Sequence, residues 1–356
     1  MEIGQIAQPA PARDIDGTRA HRLVFVRRLA LLCALLVLLI TSLSAFIRLS
    51  KAGLSCPDWP ACYGQGLRDL QQGRPAEVGE GVATAAARLA HRIVASTALL
   101  LVIAMLAALL SAPKVGLRPA RPARVPGKHG ATRRFLESAR RAPWREARVA
   151  LALLALALFL AVLGRWSSDA RVPAVAIGNL LGGFAMLALS WRLAIRGAPT
   201  ASPGLRLAAW LGTALLAAQV ALGGLLSASY AATSCTSGLA DCLAAARGLP
   251  IGVLDPWREP QLAALPPINP SGALALAAHG LLGLATTLVL AGVAVGALRT
   301  GRRAAGALLL AGIALAGALG WTMASQGPTL ALALAHNVVA ALLLVTAFEL
   351  TRGAAG

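Results

Sequence analysis

The stretch RRLALLCALLVLLITSLSAFI, residues 27–47, carries its only charges at its first two positions and is otherwise mostly apolar. About 20 mostly apolar residues form a helix that crosses the hydrocarbon of a bilayer with its backbone hydrogen bonds satisfied internally. Further runs of this kind follow, so membrane spans are expected near 27–47, 87–112, 148–166, 172–194, 205–229, 272–298, 303–323 and 328–350. The sequence therefore predicts an all-α integral membrane protein with eight transmembrane helices.

The composition of the whole chain points to the same class of protein. Of its 356 residues 57% are hydrophobic and only 13% are charged, and the mean hydropathy is +0.70. Soluble globular domains carry about 25% charged residues. Lipid is therefore the expected solvent of this chain.

Basic residues lie mainly on one side of the predicted membrane. The formal net charge is +19, and Arg and Lys cluster before the first span, in the connection 113–147, and in the fourth and sixth connections. The positive-inside rule predicts cytoplasmic tails at 1–26 and 351–356, and a multi-pass protein of the cell inner membrane. The connection 113–147 is expected to contact anionic headgroups of the lipid bilayer. No aromatic interleaving or binding motif accompanies the charge, so nucleic acid is not an expected partner.

The two halves of the chain resemble each other. The segments VLGRWSSDARVPAVAIGNLLGGFAMLAL, from residue 162, and ALGWTMASQGPTLALALAHNVVAALLLV, from residue 318, share Leu-Gly, then a proline, then a polar residue inside the span. The prolines are Pro173 and Pro328. Such a repeat predicts two tandem four-helix bundles, at 27–194 and 205–350, related by an axis along the membrane normal. Candidate sites are expected inside each bundle.

Four of the five cysteines lie in the two long loops that this topology places outside. Cys56 and Cys62 belong to the first outer loop, and Cys235 and Cys242 belong to the second. An exterior compartment permits disulfides, so one bridge within each loop is the expected pairing. Metal binding is the weaker alternative, because neither spacing matches a usual zinc pattern.

Three histidines lie within predicted spans: His91 in the second, His279 in the sixth and His336 in the eighth. Each span starts at the outer face, and a rise of 1.5 Å per residue puts the side chains roughly 10–14 Å below the helix starts. His279 and His336, on two helices of one bundle, are suited to be the axial ligands of a haem iron. A proton relay and structural hydrogen bonding are the alternatives. Gln219 in the fifth span is expected to hydrogen-bond a neighbouring helix.

Two motifs resemble those of the haem A synthase family. Residues 48–66, RLSKAGLSCPDWPACYGQG, are similar to the first outer-loop signature of that family, and AHR at 90–92 is similar to its first histidine motif. The resemblance covers most of the chain. It implies a resident haem b between His279 and His336 in the C-terminal bundle.

The resemblance also implies a reaction and partners. The N-terminal bundle would take haem O as substrate, hold it through His91 and oxidise a ring methyl to a formyl, giving haem A for terminal oxidases. If the protein is such an enzyme, Arg88 and Arg92 are expected to pair with haem propionates, and Arg48 is expected to contact a propionate as well. Arg48 has a second interpretation, because an arginine at the end of a span also snorkels to the interface. Haem O synthase and terminal oxidase assembly factors are the implied protein partners.

The N-terminal half departs from the family pattern at two positions. Asn179 stands where the second histidine of that half is expected by comparison with His336, and Arg88 stands where a carboxylate usually precedes the first histidine. Asn is not a strong iron ligand and Arg does not accept a proton. One hypothesis is a haem A synthase that holds its substrate through His91 alone. The other is a non-catalytic relative that binds haem and acts in oxidase assembly or haem handling. A secondary transporter would explain the repeat but not the paired histidines.

Overall fold

The computed structural model describes residues 13–74, 81–110, 129–167, 171–195, 200–235 and 238–353, which form helices, turns and loops without a strand. The helices are α1 (Arg13–Lys51), α2 (Gln65–Gln71), α3 (Val82–Leu110), α4 (His129–Ser167), α5 (Pro173–Ala194), α6 (Pro203–Ala228), α7 (Leu239–Ala245), α8 (Ala273–Arg299), α9 (Arg303–Gln326) and α10 (Leu330–Glu349). Short 3₁₀ helices in the second outer loop are Ala231–Thr233, Ile251–Leu254 and Pro270–Gly272.

Eight of the described helices are long and apolar enough to cross a membrane, namely α1, α3, α4, α5, α6, α8, α9 and α10. The all-α membrane fold and the number of spans are thereby confirmed. For α5, α6, α8, α9 and α10 the predicted and observed ends agree within three residues. The agreement is close because an apolar run bounded by proline, glycine or charge is a local signal for both ends of a span.

Three helices begin five or more residues before the spans predicted for them. α3 begins at Val82, whereas its predicted span begins at 87. α1 begins at Arg13 and α4 begins at His129, whereas the predicted spans begin at 27 and 148. The second part of the basic connection 113–147 is therefore helical and not a loop, which corrects the prediction. Arg, Ala and Glu are good helix formers, and a helix already formed in the membrane adds residues readily because only its first turn is costly.

The spanning helices pack as two groups of four. In the first group α1 and α4 each pack against α3 and α5, and in the second α6 and α9 each pack against α8 and α10. α3 and α5 are therefore diagonally opposite in the first group, as are α8 and α10 in the second. Contacts of α5 with α6, of α1 with α10 and of α5 with α10 join the groups. Both groups have the same pattern of neighbours, while the duplication itself stays a prediction.

Glycines let the spanning helices approach closely. A Cβ added at Gly183 of α5 would lie 2.7 Å from the Thr41 side chain of α1, and one at Gly212 of α6 would lie 2.8 Å from Leu290 of α8. Helix association in lipid depends on such close packing, because the bilayer core is as apolar as the helix surfaces. Small residues therefore shape the interior of each group.

Local sequence sets where the helices that carry the candidate site begin. Pro173 is the first residue of α5, where proline has no hydrogen bond to lose. The hydroxyl of Thr329 accepts from the Leu332 backbone N–H at 3.3 Å and caps α10. These starts determine how deep in the membrane the polar residues of α5 and α10 lie.

Candidate functional site

His279 and His336 lie at the same depth on diagonally opposite helices of the second group. His279 follows Ala273, the first residue of α8, by six positions, and His336 follows Leu330, the first residue of α10, by six positions. At 1.5 Å per residue each lies about 9 Å along its helix. The interior of the second group therefore receives an imidazole from each of two opposite helices.

Gln219 of α6 contacts His279 at two points. Its amide Nε2 donates to the His279 backbone carbonyl at 3.0 Å and lies 3.2 Å from the ring Nε2 of His279, which confirms the expected interhelical hydrogen bond. Because a carbonyl only accepts, the amide nitrogen must face His279, so the ring Nε2 accepts and the proton is on Nδ1. Both His279 Nδ1 and Gln219 Oε1 are buried without a hydrogen-bond partner among the described residues.

His336 also has a ring nitrogen without a partner. The backbone carbonyl of Ala316 in α9 lies near its ring, while its Nδ1 is buried with no partner in the described part of the chain. The Nδ2 of the neighbouring Asn337 is in the same condition. Each such buried polar group is unfavourable by about 1–3 kcal/mol. This cluster of unpartnered atoms indicates a bundle interior suited to a ligand.

Two glycines stand beside the imidazoles. A Cβ at Gly223 of α6 would lie 3.3 Å from His279 Cε1, and a Cβ at Gly320 of α9 would lie 3.8 Å from His336 Cε1. Ordinary carbon contacts are about 3.5–4.0 Å, so the space beside His279 is the tighter of the two. A larger side chain at either position would crowd the ring.

The donors of this site are those that haem requires. A histidine that binds a metal through one ring nitrogen usually donates a hydrogen bond through the other. His279 and His336 each have an Nδ1 without a hydrogen-bond partner among the described residues. In His279 that nitrogen carries the proton, so it would have to lose the proton before binding a metal. Two imidazoles from opposite helices suit the axial positions of a haem iron, with apolar side chains around the macrocycle. Within the described ranges no three His, Cys, Asp or Glu residues form a cluster suited to a bare metal ion.

The first group presents a single imidazole in the corresponding place. His91 follows Val82, the first residue of α3, by nine positions, which is about 13–14 Å along the helix. His91 and Arg88 are half-buried, whereas Arg92 is exposed. Arg88 precedes His91 by three positions and therefore shares a helix face with it.

Asn179 occupies the place on α5 that His336 occupies on α10. It follows Pro173, the first residue of α5, by six positions, the same spacing as His336 from Leu330. α5 lies diagonally opposite α3, so an amide stands across the bundle from the helix of His91. This register supports the comparison of Asn179 with a histidine position.

Arg48 lies in the last turn of α1, at the outer end of the first span. Its Nε is buried and has no hydrogen-bond partner in the ranges that the structure describes. A snorkelling arginine keeps its guanidinium in water, so burial of this nitrogen favours the interpretation that Arg48 pairs with an anionic group. Arg and carboxylate form strong, charge-assisted hydrogen bonds.

One disulfide closes each outer loop. The structure joins Cys56 to Cys62 with the Cα atoms 6.4 Å apart, and Cys235 to Cys242 with the Cα atoms 5.2 Å apart. The first bridge encloses Trp59 within the sequence CPDWPAC. Each long outer loop is thereby constrained near the end of the span that leads into it.

The two outer loops pack against each other. Tyr63 of the first loop meets Tyr230 edge-on with the ring centroids 5.6 Å apart, and Tyr63 and Ile268 are almost completely buried. Arg68 donates to the Ala263 carbonyl of the second loop at 3.3 Å. Burial raises the pKa of the Tyr63 phenol, which therefore stays neutral. The two loops form one layer at the same end of the helices.

Trp59 carries the first outer loop onto the second group of helices. A Cβ at Gly327, in the turn between α9 and α10, would lie 3.3 Å from the Trp59 ring, and Gly327 has a φ of +86°. The indole Nε1 of Trp59 is buried without a partner among the described residues. The loop of one half of the chain therefore covers part of the other.

Comparison with known proteins identifies the family. Residues 27–348 match the COX15-CtaA family model, described as cytochrome oxidase assembly protein. The chain belongs to this family. It is 28% identical over 232 residues to a heme A synthase of Shewanella oneidensis, a region that covers 61% of this chain and 60% of that protein. The match thus spans about three fifths of the length of this relative. The family and the eight apolar helices make this chain a multi-pass membrane protein.

Three features of the site were not predicted from the sequence. Gly223, Gly320 and Asn337 adjoin the two histidines, but each is an ordinary residue of an apolar helix when the sequence is read alone. Gly223 follows Gln219 by four positions and so shares its helix face. That spacing is a signal that would have indicated a close approach beside His279.

Proposed function

We propose that this protein is a haem A synthase-like oxidoreductase, which oxidises the ring methyl of haem O to the formyl of haem A for terminal oxidase biogenesis. The observation that carries the proposal is the pair His279 and His336 on diagonal helices, each with one unpartnered ring nitrogen. The family match and the similarity to a heme A synthase support the class of substrate.

His279 and His336 would hold haem b in the second group. Bound there, the haem supplies one-electron redox chemistry at its iron. Gln219 positions His279 through the backbone carbonyl and the ring. The glycines beside the rings leave the imidazoles room to present their nitrogens to the bundle interior.

His91 would hold the substrate haem O in the first group. Asn179, on the diagonal helix, is no strong iron ligand, so His91 alone would hold the iron of the substrate in this group. Arg88 and Arg92 flank His91 on α3, and Arg48 ends α1. Their guanidinium groups would pair with the propionates and orient the substrate.

A non-catalytic haem-binding relative, acting in oxidase assembly or haem handling, is the second candidate. The observation in its favour is the amide of Asn179 at the register of a second histidine, together with Arg88 where a carboxylate is expected. In that case the second group still binds haem b, whereas haem bound in the first group is not converted.

The proposed setting is the cell inner membrane, with both termini in the cytoplasm. The concentration of Arg and Lys in alternate connections supports this orientation. A haem O synthase would supply the substrate, and assembly factors of terminal oxidases would receive the product.

The reaction is tested by extracting and chromatographing haems from cells that make haem O but lack their own haem A synthase. Haem A should appear only when this protein is present. The His91→Ala variant, at equal expression and with its haem b spectrum retained, should produce none. Haem O or haem b alone from the well-expressed, haem-loaded wild type would refute the enzyme and favour the second candidate.

The resident haem is tested by optical spectroscopy of the purified protein. We expect a low-spin spectrum that is lost in His279→Ala and in His336→Ala. His21→Ala is the matched control, because His21 is exposed on α1 outside both bundle interiors. A complete low-spin spectrum in both bundle variants would contradict the assignment.

A further inference from the structure

A cavity of about 420 Å³ lies between α1 and α5, at the end of the molecule opposite the disulfide-bearing loops. Its lining includes Arg27 and Arg28 of α1, Trp191 of α5, and the apolar side chains of Val24 and Leu31. The volume is in the range of sites that bind small molecules, about 300–1,000 Å³. The cavity is separate from His91, His279 and His336 and from the outer loops.

The position of the two arginines along α1 puts them at a membrane interface. Arg28 precedes Arg48, at the outer end of the span, by twenty positions on one continuous helix, which is about 30 Å. The hydrocarbon core of a bilayer is also about 30 Å thick. Arg27 and Arg28 therefore lie at the headgroup level of the face predicted to be cytoplasmic.

Arg27 and Arg28 have no anionic partner among the described residues. The Nε of Arg27 is buried and makes no hydrogen bond. By contrast, Arg352 pairs with Glu349 at 2.9 Å and donates to the Arg192 carbonyl at 3.1 Å. The charge of Arg352 is thus compensated within the protein, whereas the cavity has two guanidinium groups to offer an anion.

The remaining lining is suited to an acyl chain. Val24 and Leu31 are each 44% exposed on the outer surface of the helices, so the cavity opens sideways towards lipid. Leu31 lies about one turn deeper in the membrane than the arginines. Trp191 is of the residue type that is enriched at headgroup level. The cavity is therefore cationic at the membrane interface and apolar where it extends into the hydrocarbon.

We propose that this cavity binds one anionic phospholipid, with its phosphate on Arg27 and Arg28 and an acyl chain along Leu31. The same phosphate chemistry is present in free inorganic phosphate, but the lateral opening and the apolar wall favour the lipid. Arg352 also donates to the Ile195 carbonyl in the cavity lining. The end of α10 therefore helps to hold the wall of the cavity in place.

Native mass spectrometry of the full-length, haem-loaded protein tests this proposal, with phosphatidylglycerol and phosphatidylcholine as probes. Each arginine near an anionic lipid surface contributes about fivefold to affinity. We expect phosphatidylglycerol to bind in preference to phosphatidylcholine, and the Arg27→Gln/Arg28→Gln variant to lose about 25-fold in affinity for it. Millimolar inorganic phosphate should not displace the lipid.

Arg302→Gln/Arg303→Gln is the matched control, because it removes the same charge from two adjacent arginines on the same membrane face. We expect phosphatidylglycerol affinity to stay within about twofold in this control. Equal losses in both double variants would overturn the site in favour of general electrostatic attraction, and no loss in either would also overturn it. Displacement of the lipid by inorganic phosphate would assign the cavity to a free anion. The Arg27→Lys/Arg28→Lys variant keeps the charge and should retain the preference for phosphatidylglycerol. Its binding would show that substitutions at these two positions leave the protein folded.

Discussion

Replacing His336 by leucine should affect the haem-free and the haem-loaded protein in opposite directions. The Nδ1 of His336 is buried and has no hydrogen-bond partner among the described residues, so without haem the imidazole should destabilise the bundle. In the haem-loaded protein the same ring would be an axial ligand. If His336 serves ligand binding, this substitution should stabilise the haem-free protein. If His336 serves structural hydrogen bonding, the substitution should destabilise it.

The magnitude follows from the hydrogen bonds of the ring. Removing a buried nitrogen that has no partner among the described residues gains about 1–3 kcal/mol, and losing the contact of the ring with the Ala316 carbonyl forfeits at most about 1.5 kcal/mol. Ala316 lies inside α9, so its carbonyl keeps a helical partner. We expect haem-free His336→Leu to be more stable than the wild type by about 1 kcal/mol. Haem at about 1,000 times Kd adds about 4 kcal/mol to the wild type, so with haem bound the wild type should be the more stable by about 3 kcal/mol.

The assay is denaturant unfolding of detergent-solubilised protein, followed by far-ultraviolet circular dichroism, with material from haem-deficient and haem-replete cells. His279→Leu is the matched control. It also removes an Nδ1 that has no hydrogen-bond partner among the described residues. In addition, the Gln219 amide loses its contact with the His279 ring Nε2, 3.2 Å away. Its gain in the haem-free protein should therefore be smaller than that of His336→Leu.

A loss of stability in haem-free His336→Leu would refute this reasoning. It would show that His336 is a structural hydrogen-bonding residue and that its Nδ1 does not destabilise the folded protein. Equal stability of the wild type and the variant in the haem-loaded preparation would likewise show that His336 does not bind the haem.

Three further predictions test the turn above the site, the outer layer and the first group. Gly327→Ala should lower the free energy of unfolding by about 1–2 kcal/mol, because a φ of +86° strains an L-residue. Gly317→Ala, at an open position of α9, should not lower it. Denaturant unfolding of the two variants tests this difference. Burial raises the pKa of Tyr63 in the folded state, so the unfolded chain loses the phenolic proton first. Stability should therefore fall as the pH rises above about 10, and a thermal unfolding series against pH should be flatter for Tyr63→Phe. Asn179→His should supply an imidazole opposite the helix of His91 and increase the low-spin haem per chain in optical spectra, and an unchanged haem content would contradict the assigned register.

Much of the candidate site followed from the sequence because its signals are local. Apolar runs identified the spans, and the position of His279 or His336 within a run set its depth, since a helix converts residue number into distance. The same counting related Asn179 to His336 before the helices were known. The early starts of α1 and α4 could not be predicted from hydropathy, because arginine-rich helix and arginine-rich loop have the same composition.

The sequence by itself thus determined the membrane class, the eight spans and the depth of the histidines, which depend on short-range properties of the chain. Only the tertiary structure decided that α8 and α10 are diagonal, that the Gln219 amide meets His279, and that Trp59 of one half packs on Gly327 of the other. Those contacts join residues far apart in sequence. They depend on which helix faces lie against each other, and that is settled by close packing at small residues such as Gly183 and Gly212 and not by hydrophobicity, because every face of an apolar helix is compatible with lipid.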